Sequence, residues 1–249
     1  MKVVFLGATR GMGRALARLF AERGDRLFLL GRDDDDLARS AADLLARDNT
    51  GANGGAIGHA PCDLADPGGF AAALDAADLA LGGFDTVVVT AALFATQEQL
   101  EADLELTHRL LVVDFANTVV FCEHVRGRLL ARGGGTLCVF SSVAGDRARK
   151  PVVLYGAAKA GLSHYLEGLD HKFRAQGLRT VCVKPGFVKT GMTAGLKPPP
   201  FAGEPEAVAR VVLRAIDRGK PEVYAPGIWA QVMRVIRWLP RFVMRKIKF

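Results

Sequence analysis

Tyr155 and Lys159 stand one helical turn apart in Tyr155-Gly156-Ala157-Ala158-Lys159. On a helix, residues i and i+4 share a face, so the phenol and the ammonium project together. A free tyrosine, with a pKa of ~10, is a poor acid-base at neutral pH. A cation beside it lowers that value and makes proton transfer practical. Ser142 precedes Tyr155 by 13 residues and, with Ser141, ends a strand-like apolar run. Its hydroxyl can donate to a substrate carbonyl. Each residue also has an ordinary reading: Ser in a turn, Tyr half-buried, Lys in solvent. YxxxK alone is common and weak; together with a glycine turn, at this spacing and order, it is strong.

That glycine turn is Gly7-Ala8-Thr9-Arg10-Gly11-Met12-Gly13, placed between Val3-Val4-Phe5-Leu6 and a helix. Glycines let the backbone turn tightly and approach a pyrophosphate, whose charge suits the helix amino end. The spacing is G-x3-G-x-G, and its bland reading is an ordinary glycine-rich turn. The second strand ends in Leu29-Leu30-Gly31-Arg32. A ribose-binding acid is expected there for NAD, and none is present. Arg10 and Arg32 instead suit a 2′-phosphate. The counter-reading takes the acid from the run 33–36, which better starts and caps the next helix. NADP(H) is therefore expected over NAD.

The elements that must position these groups alternate along the chain. Strands are expected at 3–6, 27–30, 56–60, 86–90, 136–140, 180–183 and 222–224. Helices are expected at 13–23, 36–47, 69–80, 100–131, 153–176 and 205–218. This alternation predicts an α/β fold, a Rossmann-like doubly wound parallel seven-stranded sheet. The strands are apolar without alternation, as strands covered on both faces should be. Residues 49–58 read as a flexible surface connection, and 190–201, with Lys197-Pro198-Pro199-Pro200, as a loop at a strand's carboxyl end.

At 249 residues, half of them hydrophobic and about a quarter charged, the chain can bury a core without metals or disulfides. Disorder, collagen and a small disulfide scaffold are excluded. Cys62, Cys122, Cys138 and Cys182 form no CxxC pair and read as small buried hydrophobes, consistent with a reducing compartment. No metal site is expected. Neither a signal peptide nor a spanning segment is expected, which gives a cytoplasmic location. The net charge of +7 sits almost wholly in residues 227–249, where Arg234, Arg237, Arg241, Arg245, Lys246 and Lys248 occur with no acid. That points to a local partner of the tail, not to nucleic acid.

Together these motifs resemble the classical short-chain dehydrogenase/reductase family over essentially the full length. The resemblance implies hydride transfer between NAD(P)H and a carbonyl or alcohol. Tyr155 would be the proton donor, Ser142 the carbonyl clamp, and Lys159 the residue that binds ribose and tunes Tyr155. It implies cofactor contacts from Gly7, Thr9, Arg10, Gly11, Met12, Gly13, Arg32, Asp63, Leu64, Ala91, Tyr155, Lys159, Pro185, Gly186, Val188 and Thr190. The chain departs from the family twice. Val89-Thr90-Ala91-Ala92 replaces Asn-Asn-Ala-Gly, and Asp114 stands where the family's helix asparagine serves a water of the proton relay. Asp114 is retained as a candidate catalytic residue.

The last third resembles a narrower group, the decaprenylphosphoryl-2-keto-erythro-pentose reductases. The matching runs are 155–162, 192–197, 223–226 and 239–241. This implies a polyprenyl-phosphate-linked keto sugar as substrate. Residues 1–226 then form the catalytic domain and 227–249 a basic amphipathic tail. Trp229, Val232, Ile236, Leu239 and Val243 make an apolar stripe, and Pro240 should divide the helix. Such a helix suits a membrane interface, with this stripe toward the acyl chains; the alternative packs it on the domain or on a second subunit. Other functions remain open: the same chemistry on another apolar ketone or a soluble metabolite, or a non-catalytic NADP-binding sensor. The resemblance further implies a homodimer or homotetramer through the helices expected at 100–131 and 153–176.

Overall fold

Alternate residues of each inner strand feed two different cores. In β1 (Lys2–Leu6), Val3 and Phe5 point to one face of the sheet and Val4 and Leu6 to the other. All four are buried, which explains why the strand shows no polar alternation. The computed structural model describes residues 1–199 and 201–247. Pro200 and Lys248 therefore lie outside the described residues.

The remaining strands are β2 (Arg26–Gly31), β3 (Gly58–Pro61), β4 (Thr86–Val89), β5 (Gly135–Phe140), β6 (Leu178–Pro185) and β7 (Glu222–Ala225). They form one seven-stranded sheet in the order β3-β2-β1-β4-β5-β6-β7. Every pairing is parallel. The order reverses between β1 and β4, where doubly wound sheets open a crevice at the strands' carboxyl ends.

One face is covered by α1 (Gly11–Arg23), α2 (Asp34–Leu45) and α8 (Pro205–Asp217), which bury Leu16, Phe20, Leu37, Val212 and Ile216. The other is covered by α3 (Phe70–Leu81), α6 (Asn117–Ala131) and α7 (Val153–Phe173), through Leu74, Phe121, Val125, Leu162 and Leu166. Asp33 caps α2 by accepting the Asp36 N–H at 2.8 Å, with acids filling the first turn, as the run 33–36 foretold. The four cysteines are free and buried.

The helix expected over 100–131 is interrupted twice. α4 (Gln97–Ala102) ends at Asp103, whose backbone is extended and whose carboxylate caps α5 (Leu104–Leu111) by accepting the Leu106 N–H. A π-helical turn, Val112–Ala116, then separates α5 from α6. The Thr118 hydroxyl donates to the Val113 carbonyl at 2.7 Å, giving a hydrogen-bond partner to a carbonyl of this widened turn. The turn carries Asp114 into the interior, where it is fully buried. The connection read as flexible is instead tied down: Asn53 accepts from the Leu27 N–H and donates to the Asp25 carbonyl and to Asp48.

The tail folds as α9 (Ile228–Trp238) and α10 (Arg241–Met244), divided at Pro240 as expected. Its orientation corrects the expected stripe. Trp229, Met233 and Ile236 are buried against Val143, with Val232 and Met244 packed around them. The face assigned to a lipid boundary is thus largely a packing face. Ile228, Val235, Trp238 and Phe242 are exposed instead. Among the described residues, no helix is long and apolar enough to cross a membrane.

Candidate active site

A cleft of about 500 Å³ opens at the carboxyl ends of β1, β2 and β4. Gly7, Thr9, Arg10, Gly11, Met12, Gly13, Arg32, Asp63, Leu64, Ala91 and Thr190, all named from the sequence, line it. Gly7 has φ +98°, and a Cβ there would lie 2.6 Å from the Ala91 nitrogen. At Gly13 a Cβ would lie 2.1 Å from the Gly7 carbonyl oxygen. These two positions leave no room for a side chain. Thr90, standing where the family has asparagine, donates to the Gly7 carbonyl at 2.8 Å and holds the turn from beneath.

The N-terminus of α1 opens onto this cleft without a side-chain cap or an acid in its first turn. Its free N–H groups and dipole favour an anion there. The cradle therefore fits the pyrophosphate of a dinucleotide, with Asp63 and Leu64 beside it at the end of β3. A nicotinamide dinucleotide bound here supplies or accepts the hydride.

The two arginines expected at a 2′-phosphate differ. Arg10, 83 % exposed, pairs with Asp36 at 2.7 Å, and the same carboxylate holds Arg39. Those two hydrogen bonds, the one from Arg39 foremost, pull the Asp36 carboxyl below its usual range. Arg32 is exposed at the cleft and makes no ion pair among the described residues.

Ser142, Tyr155, Lys159 and Asp114 form the second group. Ser142 follows β5, and its hydroxyl accepts the Ala144 N–H at 3.1 Å. Tyr155 and Lys159 share a face of α7, with the ammonium 5.6 Å from the phenol ring centroid. Lys159 is buried, and its Nζ lies 3.2 Å from Asp114 Oδ2. Asp114 Oδ1 accepts the Leu93 N–H at 2.6 Å. Burial pulls the Lys159 ammonium down, but Asp114 and Tyr155 outweigh it and hold it above its ordinary value. Burial pushes the Asp114 carboxyl up, and Lys159 offsets only part of that.

The same balance corrects the expectation for Tyr155. Its environment raises the phenol's pKa instead of lowering it. Burial is the largest cause; Lys159 and the Ser142 hydroxyl pull down, and Asp114 pushes back up. The expectation counted the cation and neither the burial of the phenol nor the cation's carboxylate partner.

Pro185 ends β6, and Gly186 and Val188 follow it. Pro185 pairs with Ala225, Val188 is buried in the core, and the Trp229 indole lies against Gly186. None of the three is among the residues that line the cleft. Two positioning residues escaped the sequence reading. Gln97 Oε1 accepts the Val153 and Leu154 N–H groups and fixes the start of α7. Phe94 meets the Tyr155 ring edge-on at 5.4 Å. The only prior signal was the Thr96-x-x-Gln99 capping box between them, which marks a helix start but no function.

The sequence model of the short chain dehydrogenases matches residues 1–200. An uncharacterized oxidoreductase of Mycobacterium tuberculosis is 35% identical, over 98% of this chain and 96% of its own. The cis-4-hydroxycyclohexanecarboxylate dehydrogenase of Sinomonas cyclohexanicum is 29% identical, over 78% and 75%. A solved short-chain type dehydrogenase/reductase from Mycobacterium ulcerans superposes with a TM-score of 0.79 at 24% identity, covering 89% of this chain and 86% of that one. With the glycine cradle, the seven-stranded parallel sheet and Ser142, Tyr155 and Lys159 in place, this chain belongs to the short-chain dehydrogenase/reductase family and is an oxidoreductase of alcohols and ketones.

Proposed function

We propose that this oxidoreductase is an NADPH-dependent reductase of an apolar ketone held at a membrane surface, with a polyprenyl-phosphate-linked keto sugar as its substrate. The observation that carries this is the placement of α9. Its inner face packs on Val143, the residue after Ser142. The Trp229 indole donates to the Phe201 carbonyl at the end of the 190–201 loop. The tail is thereby joined to the catalytic turn and to the loop beside the cleft. The exposed side of α9 carries Trp238, 85 % exposed, with Ile228, Val235, Arg234 and Arg237, and the α10 segment that follows adds exposed Arg241, Phe242, Arg245 and Lys246. Aromatic and basic groups on one face favour an anionic lipid surface. The keto sugar itself comes from the resemblance of the C-terminal motifs. The cyclohexanecarboxylate dehydrogenase relative favours a second reading, oxidation of a small cyclic alcohol in solution. A screen with NADPH across polyprenyl-phosphoryl keto sugars, long-chain ketones and short cyclic ketones separates the two. Turnover of a short ketone without benefit from an isoprenoid chain favours the second. Exposed Phe115, Val120 and Val153 on the π turn, α6 and α7 support a homo-oligomer through these helices.

Vesicle binding tests the tail without unfolding it. Truncation at 227 would strip Trp229, Met233 and Ile236 from the core, so it is the wrong variant. Trp238→Ser with Phe242→Ser alters exposed residues alone. The wild-type chain should co-sediment with anionic vesicles at low salt. Basic residues contribute about 1 kcal/mol each near such a surface, so high salt should release it. The double variant should sediment clearly less than wild type, with its soluble-ketone activity intact. Equal sedimentation of both proteins removes the assigned face from the proposal.

For the cofactor, Arg32→Ala should weaken NADPH about tenfold or more and leave NADH almost unchanged, since a hydrogen bond to a charged group is worth about 1.5–3 kcal/mol. Arg10→Ala should cost less, because Arg10 must leave Asp36 to reach a phosphate. Dissociation constants measured by nicotinamide fluorescence decide it, and a wild-type protein that binds NADH as tightly as NADPH contradicts the assignment.

A further inference from the structure

Asp114 is fully buried, with one oxygen on the Leu93 N–H and the other facing Lys159 Nζ at 3.2 Å. That second oxygen accepts no other hydrogen bond among the described residues. A carboxylate and an ammonium at contact distance present little net charge to a phenol beyond them. The pull of the Lys159 cation on a Tyr155 phenolate is therefore opposed by the carboxylate it contacts.

Among the described residues, the other groups around the phenol supply no substitute cation. The end of β5 brings the neutral Ser142 hydroxyl. The segment before α4 brings the Phe94 ring edge, α4 brings neutral Gln97, and α5 brings Leu106 and Leu110. Behind Lys159, β6 carries Cys182, whose thiol burial pushes up to about 11. Asp146, beyond the turn after Ser142, is already held by Lys184 at 2.8 Å and by the Tyr224 hydroxyl.

We propose that Asp114 is a positioning residue that cancels the Lys159 charge at Tyr155, keeps the phenol protonated through neutral pH, and so suits the site to protonating a ketone in place of deprotonating an alcohol. The inference rests on Tyr155 as proton donor and not on which ketone is reduced. A protonated phenol is the form that gives its proton to the carbonyl oxygen as hydride arrives at carbon. The phenolate is the form that takes a proton from an alcohol. Raising the phenol's pKa extends reduction to higher pH and delays oxidation to higher pH.

Tyrosinate absorbance in the ultraviolet reads the effect without substrate or cofactor. The chain has three tyrosines, so subtracting the Tyr155→Phe titration isolates Tyr155. Asp114→Asn keeps an oxygen for the Leu93 N–H and removes the charge. The Tyr155 midpoint should fall by about one unit or more in D114N, about tenfold more phenolate at a given pH. With a ketone that is turned over, the alkaline loss of kcat for reduction should move down by the same amount, and oxidation should begin at correspondingly lower pH. The D114N/K159M protein carries neither charge and should return the midpoint to near the wild-type value. Should D114N not fold, this double variant decides alone: a midpoint raised by about one unit, as if a bare cation had been lost, overturns the proposal. So does a D114N midpoint equal to the wild type's. Because the absorbance arm uses no substrate, failure of the lipid-linked reading leaves it standing.

Discussion

Tyr155→Phe should lower ketone turnover by about 10²–10⁴-fold, the usual contribution of a positioned general acid. Fold and NADPH affinity should hold. The ring is packed edge-on against Phe94, and phenylalanine keeps that contact. The start of α7 is fixed by Gln97 through backbone N–H groups, which the substitution leaves untouched. The glycine cradle lies on other elements, at the end of β1 and the start of α1. What disappears is a proton at one atom. Single-turnover reduction, NADPH fluorescence titration and thermal melting separate the three quantities. A variant that keeps most of its activity assigns the proton to another group; one that also melts early assigns the tyrosine a structural part the contacts do not suggest.

The strands were legible because burial on both faces leaves an unbroken apolar run, and Val3-Val4-Phe5-Leu6 has no other use in a fold of this kind. The helix starts were legible where a side chain caps them, as Asp33 does for α2. The break at Asp103 was not, since one aspartate in an amphipathic stretch looks the same on a solvent face as at a cap. Nor was the π turn. Its extra residue shifts the phase of the helix, while Val112-Val113 reads as more of the same apolar face. The tail failed for a related reason. Ile228, Trp229, Val232, Met233, Val235, Ile236 and Trp238 cover most of a helix circumference, so periodicity offered several stripes. Packing on Val143 selected the one that contains Met233. That Tyr155 and Lys159 share a helix face was plain from their spacing. The charge around them was not, because Asp114 and Lys159 sit on different elements and only the fold brings them into contact.

That contact gives Lys159→Met a second large expected effect. The substitution keeps much of the side-chain volume and removes the ammonium. It leaves Asp114 buried with a hydrogen bond from Leu93 and no counter-ion. Breaking one side of a buried ion pair costs about 3–5 kcal/mol, so the variant should unfold at markedly lower urea. Turnover should fall as well, since an uncompensated carboxylate is left beside the phenol and the ribose contact that the resemblance assigns to Lys159 would be lost. Stability and activity are then separated by adding Asp114→Asn. With neither charge buried, the double variant should recover most of the lost stability, because replacing both partners of a buried pair is often near neutral. It should not recover cofactor affinity, if the ammonium holds the ribose as the resemblance implies. Urea denaturation and NADPH titration on the two variants give four values. A K159M protein as stable as wild type would mean that Asp114 takes up a proton when the ammonium leaves. In that case loss of the ammonium has lifted the carboxyl's pKa, and the variant, not the wild type, should lose stability as pH rises through that titration. A double variant that stays unstable would instead place the cost in packing around the longer lysine stem, where the Ser141 hydroxyl, donating to the Lys159 carbonyl, ties α7 to the end of β5.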